Sequence, residues 1–215
     1  MGRRIAAVRP FKDVADLARR AELNRDALDR LAAAGALASL SGHRREAAWA
    51  VAAVPIQRDL LFEAPAIEVT AELPAPSEGE TLVADFSTLS LTLGRHPLSL
   101  LRANLERRRY VTTSSLRDYD HNRPARCAGI VTGRQRPGTA SGVIFLTLED
   151  ETGFANVIIH QQLSERQRRE VLGSRLLGVL GIVQREGEVV HLIAKRLVDH
   201  SELLGQLPTS SRDFH

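Results

Sequence analysis

Five apolar, strand-patterned segments follow one another between residues 123 and 200, and their order constrains the fold more than any other feature. They read "RCAGIVTGRQR", "GVIFLTLED", "ANVIIH", "RLLGVLGIVQRE" and "VVHLIAKRLVDH". A charged, helix-like stretch, "LSERQRREVLG", separates the third from the fourth. Three strands, a helix and two strands is the order of an OB-fold, a small five-stranded Greek-key barrel. Gly129, Gly133, Gly178 and Gly181 fall inside strands, where a tightly bent barrel needs kinks and bulges. "PGTASG" and "EGE" supply hairpin turns.

Strand parity predicts which side chains can reach a ligand. Ile144, Leu146 and Leu148 share one face of the second strand and are expected to fill the barrel, leaving Phe145 and Thr147 outward. In the first strand Cys127, Gly129 and Val131 are expected inside, with Ile130, Thr132, Arg134 and Arg136 outside. An outward aromatic beside outward arginines suits single-stranded nucleic acid, because bases stack on the ring while guanidinium groups meet phosphate. The bland alternative is a ring packed against a neighbouring domain.

The first part of the chain, 1–62, reads as helices. Phe11, Val14, Leu17 and Ala18, then Leu28, Leu31 and Ala32, recur at helical spacing. Asn24 predicts an N-cap for the second helix, and Gly35 predicts its end. "SGHRREAAWAVAAV" begins a third helix that stops at Pro55. Short helices around a glycine turn fit a helix-hairpin-helix, which grips DNA through backbone N–H groups. On spacing alone a purely structural hairpin is the preferred reading, since glycine ends many helices.

Residues 63–122 read as a connector. "EAPAIEVTAELPAPSEGE" is acidic and proline-containing. "TLVADFSTLSLTLGRHPLSLLRANLERRRYV" predicts a short β segment, a turn at Gly94 and a helix opened by Pro97. Arg107, Arg108 and Arg109 close that helix, either matching its dipole or forming a phosphate patch. Residues 201–215 make a weakly patterned tail expected to be exposed. The expected architecture is therefore α+β and multidomain: a helical region (1–62), a connector (63–122), an OB-fold β-barrel (123–200) and a tail (201–215).

Charge narrows the partners modestly. The formal net charge is +3, distributed as +4 over 1–62, −3 over 63–120 and +2 over 121–215. Two basic ends flanking an acidic middle permit nucleic acid. Only Lys12 and Lys195 are lysines among the 29 cations, so arginine abundance reads first as a base-composition effect. The one cysteine, Cys127, excludes an internal disulfide and a multi-cysteine zinc site, and its strand position predicts burial. No signal peptide or membrane span is legible, which leads to the expectation of a cytoplasmic protein without a membrane partner. Glu149, Asp150 and Glu151 lie together at a strand end beside Thr152 and Gly153, a pattern expected of a capped turn. Two-metal chemistry needs carboxylates converging from separate elements.

The stretches "LAAAGALASLSGHRREAAW", "LTLGRHPLSLLR", "RCAGIVTGRQRPGTASGVIFLTLEDETG" with "NVII", "VQREGEVVHLIAKRL" and the closing "SRDFH" carry a resemblance. The chain resembles the C-terminal portion of bacterial C-family DNA polymerases, the polymerase III alpha-subunit family, and within it the error-prone translesion branch. The resemblance implies that 1–62 is the end of the fingers with its helix-hairpin-helix, and that the OB domain lies near single-stranded template. It also implies that the palm carboxylates and their Mg²⁺ lie upstream, so that this chain carries no catalytic residue, metal or cofactor of its own. The residues expected to contact nucleic acid are Arg134, Arg136, Phe145, Thr147, Thr132, His160 and Arg185 in the barrel, and Gly35, Arg44 and Arg45 in the helical part. His160 stands where related OB domains often carry an aromatic. Two alternatives stay open: a module docking polymerase accessory proteins through its tail, and a stand-alone RNA-binding OB protein.

Overall fold

The computed structural model describes residues 1–54, 73–138, 142–205, 207 and 212–214, the last three by backbone alone. Pro55, residues 63–72 of the expected connector and 139–141 of the first hairpin lie outside these. The chain divides into two compact units, Met1–Leu91 and Thr92–His215.

The first unit is helical: α1 (Gly2–Ala7), α2 (Val14–Arg20), α3 (Arg25–Ala33), α4 (Ala38–Ser41), α5 (Arg44–Ala53) and α6 (Glu78–Leu89). Its core is small and aliphatic, built from Val14, Leu17, Leu28, Ala32, Ala47 and Val51, each at most 3% exposed. Asn24 caps α3 as its sequence predicts, accepting the Ala27 amide at 3.0 Å. Helix α6 corrects the short β segment expected there. Ser77 and Glu80 form a reciprocal capping box, Ser77 Oγ accepting the Glu80 amide while Glu80 accepts the Ser77 amide at 2.8 Å. The S-x-x-E signature that starts a helix was present in "SEGE" and outweighs the β-branched residues after it.

The second unit opens with α7 (Pro97–Arg107), which Pro97 starts at its first position as expected. A 3-10 turn (Ser114–Asp118) leads into the barrel. Its strands are β1 (Pro124–Gln135), β2 (Ile144–Asp150), β3 (Gly153–Ile159), β4 (Leu176–Glu186) and β5 (Val189–Asp199). Helices α8 (Gln161–Arg166) and α9 (Arg168–Gly173) lie between β3 and β4. β1 pairs antiparallel with both β2 and β4, β2 with β3, β4 with β5, and β3 joins β5 in parallel. Following those pairs returns to β1, so the sheet closes into the five-stranded OB barrel that the segment order predicts.

Cys127, Val131, Ile144, Leu146 and Leu148 line the core with Val157, Val179 and Leu192. Burial pushes the Cys127 thiol up to about 12, which leaves it an inert small hydrophobe. Ile130, expected on the outside, is 7% exposed, because α7 packs over β1 and β2. The tail departs from expectation as well. Backbone β6 (Arg212–Phe214) pairs in parallel with Gly133–Gln135 of β1, taking an edge that β4 does not reach.

Beneath α7 lies a buried polar hub. Asp150, whose side chain is fully buried, accepts from the Thr113 amide (2.8 Å) and hydroxyl (2.7 Å) and from the Thr152 amide (2.8 Å). Arg102, on α7, spans Asp150 at 3.0 Å and Glu151 at 2.5 Å. Burial alone would raise the Asp150 carboxyl; the hydrogen bonds from Thr152 and Thr113 outweigh it and hold it below its ordinary value. The acidic trio thus serves a turn and an anchor.

Candidate nucleic-acid interface

In the helical unit the hairpin turns at Gly35. Its φ of +70° is the left-handed conformation that follows a helix end. Ala36 donates to Leu31 O and Gly35 to Ala32 O, both at 2.9 Å, closing α3 with a Schellman-type pair of bonds. A Cβ on Gly35 would sit 3.1 Å from the Arg44 guanidinium, so that side chain lies directly across the turn. Arg44 is itself committed: it pairs with Asp85 of α6 at 2.5 Å, both side chains being largely buried, and donates to Thr81 O at 3.3 Å. Arg45 binds Glu80 and Pro74 O, at 2.8 and 2.9 Å, on the surface. Both arginines expected at phosphate therefore hold α6 and the segment leading into it in place, a role that a β segment at this position would not have offered them.

In the barrel, β2 keeps its expected parity. Phe145 and Thr147 are half-exposed on the outer wall, between buried Ile144, Leu146 and Leu148. Across the pairs Gln135–Phe145–Ile158 and Gly133–Thr147–Asn156 they form two adjacent rows, with Phe145 and Ile158 the apolar part of the first and Thr147 and Asn156 the polar part of the second. Thr132 reaches Thr147 O at 3.4 Å.

β1 does not keep its parity. Val131 faces Leu148, but the next pair is Gly133 with Thr147, so Thr132 is an inserted bulge residue. One extra residue reverses the alternation. Arg134 consequently pairs with Leu146, on the inner face, where Nε donates to Val171 O at 2.8 Å and a terminal nitrogen donates to Ser174 O. It closes that barrel end by holding the last turn of α9, and does not stand beside Phe145. Arg185 has the corresponding place at the far end, donating to Tyr119 O at 3.1 Å and to Arg117 O. Arg136 is exposed beyond the strand. His160 is exposed too, but it sits past the last β3 pair as the N-cap of α8, off the pleated wall. The structure thus brings together Phe145, Thr147 and Thr132, with Arg136 at the margin. It adds Ile158 and Asn156, which counting alternate residues of "ANVIIH" could have found.

The comparisons follow this division of the chain. Residues 2–47 match the family described as Helix-hairpin-helix motif, which covers α1–α4 and the start of α5. Over 217 residues, 99% of this chain, the sequence is 59% identical to the Error-prone DNA polymerase of Dechloromonas aromatica. The chain is similar to error-prone DNA polymerases. That of an Azoarcus species is 60% identical over 209 residues, and that of Bordetella bronchiseptica 56% over 213. The chain spans about a fifth of the length of these polymerases, 21%, 20% and 20% in turn. Among solved structures, ygiW of E. coli aligns over 41% of this chain and 87% of its own (TM-score 0.32, 15% identity). Asparaginyl-tRNA synthetase of Pyrococcus horikoshii aligns over 41% and 22% (TM-score 0.33, 21% identity). At these scores neither likeness bears on function. No helix among the described residues is long and apolar enough to cross a membrane. Nor do three or more His, Cys, Asp or Glu side chains among them converge as metal ligands.

Proposed function

We propose that this chain is a non-catalytic, nucleic-acid-binding portion of a cytoplasmic error-prone DNA polymerase acting in replication, repair and translesion synthesis. It corresponds to the C-terminal part of that polymerase, and the outer wall around Phe145 holds single-stranded template. The observation that carries the reading is the half-exposed Phe145 beside Thr147, Asn156 and Ile158, on a chain nearly 60% identical to such polymerases. The ring offers a stacking surface that any base can use, and the polar row supplies hydrogen bonds without a sequence code.

Labelled single strands titrated at low salt test this. The full chain is expected to bind, and Phe145→Ala to weaken binding by on the order of 1–3 kcal/mol, roughly 5- to 150-fold. RNA is expected to compete less well than DNA of the same sequence. Absence of binding at about 50 mM salt, or binding indifferent to salt, would sink the proposal.

A further inference from the structure

A second surface of the barrel, away from Phe145, carries a chemistry that the proposed function does not use. It lies where the N-terminal half of β1 meets β4 and β5. A concavity of about 450 Å³ opens there, and Arg109, Tyr119, Arg126 and Lys195 are among its lining residues. On the outer wall Arg126 faces Leu180, which in turn faces Arg196. The next β4–β5 pair is Gly181 with Ala194, so Lys195 is an inserted residue that the bulge displaces from the ladder. The same bulge is why Gly181 is glycine: a Cβ there would collide with the Ile193 carbonyl, and backbone forms the floor. Arg109 reaches the rim from the end of α7 with φ +63°, a left-handed conformation uncommon for a side chain of its size. Arg123 lies over the Tyr119 ring, 4.2 Å from its centroid.

Arg109, Arg123, Arg126, Lys195 and Arg196 are all exposed, and none makes an ion pair with a described carboxylate. This separates them from Arg44, Arg45, Arg102, Arg134 and Arg185, whose guanidinium groups each donate to a carboxylate or a backbone carbonyl. Arg126, Arg108 and Arg196 lie close enough to the Tyr110 hydroxyl to oppose the rise that its burial causes. Uncompensated like charges on neighbouring strands repel one another, and an anion laid along them relieves that repulsion.

We propose that this groove is a second nucleic-acid site, holding the phosphodiester backbone of a single strand through Arg109, Arg126 and Lys195. It gives the barrel a backbone contact that the Phe145 wall lacks now that Arg134 is committed to α9. The inference rests on the proposed function, and it has its own test.

The full chain is titrated with labelled oligo(dT) of roughly 8 and roughly 30 nucleotides, the longer exceeding the ~4–16 covered by one OB-fold. Arg109→Ala, Arg126→Ala and Lys195→Ala are combined in one variant and compared with Phe145→Ala. The triple variant is expected to bind the longer strand on the order of 10-fold more weakly at about 50 mM salt. Its log–log salt slope should fall by about 2, from three lost contacts at ~0.7 each. Its melting temperature should match the parent, since all three side chains are exposed. An unchanged slope with Phe145→Ala still weakening overturns the groove alone. A lost slope with Phe145→Ala silent supports the groove and overturns the Phe145 wall. Displacement of the strand by millimolar inorganic phosphate, beyond chloride of equal ionic strength, would mean that the groove takes a free anion and would overturn the strand assignment.

Discussion

Asp150→Ala is expected to cost the barrel unit about 3–5 kcal/mol and to lower its melting temperature by on the order of 15 °C. The side chain is fully buried, and it accepts from the Thr113 amide and hydroxyl and from the Thr152 amide while facing Arg102. Removing it strands the buried Thr113 amide and leaves a nearly buried guanidinium with one carboxylate, Glu151, in place of two. Asp150→Asn keeps the volume and one acceptor oxygen, so it should lose roughly half as much. The pH dependence has a definite sign. Because the folded carboxyl lies below its ordinary value, its stabilisation is complete above the unfolded pKa of about 3.9. It disappears as pH falls through the lower, folded pKa. Acid titration of the unfolding transition should therefore show a component in the parent that Asp150→Asn lacks. A melting temperature for Asp150→Ala within about 2 °C of the parent would mean that the hub is not an anchor.

Gly181→Ala is the second large effect. The added methyl meets the Ile193 carbonyl, which belongs to the β5 backbone, so no side-chain rotation relieves it. The β4–β5 ladder must shift, at a cost of about 3 kcal/mol, the upper part of the usual overpacking range. Gly173→Ala, at the end of α9, has nothing within 4 Å of the new methyl and should change stability by less than about 1 kcal/mol. Chemical unfolding of the two variants side by side checks the contrast. Equal stabilities would show that the bulge at Lys195 accommodates a side chain, and the description of the groove floor would be wrong.

What the sequence made legible was the part written in alternation. β2 reads buried and half-exposed by turns along its length, and five such segments in the right order carry the OB topology. Thr132 shows where that reasoning stops. An inserted residue changes nothing in composition, yet every side chain after it changes face. Gly133, already marked as a kink in the strand, was the available warning. α6 is illegible for another reason: the β-branched residues in "TLV" read as strand, and only the cap before them signals a helix. β6 is three residues long, and a strand that short leaves no alternation to read. The arginines were the least legible of all. Sequence gives their charge but not the carbonyls and carboxylates that engage Arg134, Arg185, Arg44 and Arg45.

The hub beneath α7 also determines where this chain can be cut. Composition changes near residue 123, and a barrel excised there would contain all five strands. It would leave behind Arg102, Thr113 and the fully buried Leu98 and Leu105. A fragment beginning at 123 is expected to be recovered as aggregate, its Asp150 carboxylate unpaired and its α7-facing wall bare. One beginning at 92 is expected to elute as a single soluble species in gel filtration. Residues 92–123, ahead of the first strand, are in manufacturing terms part of the barrel's wall and not the cord attached to it.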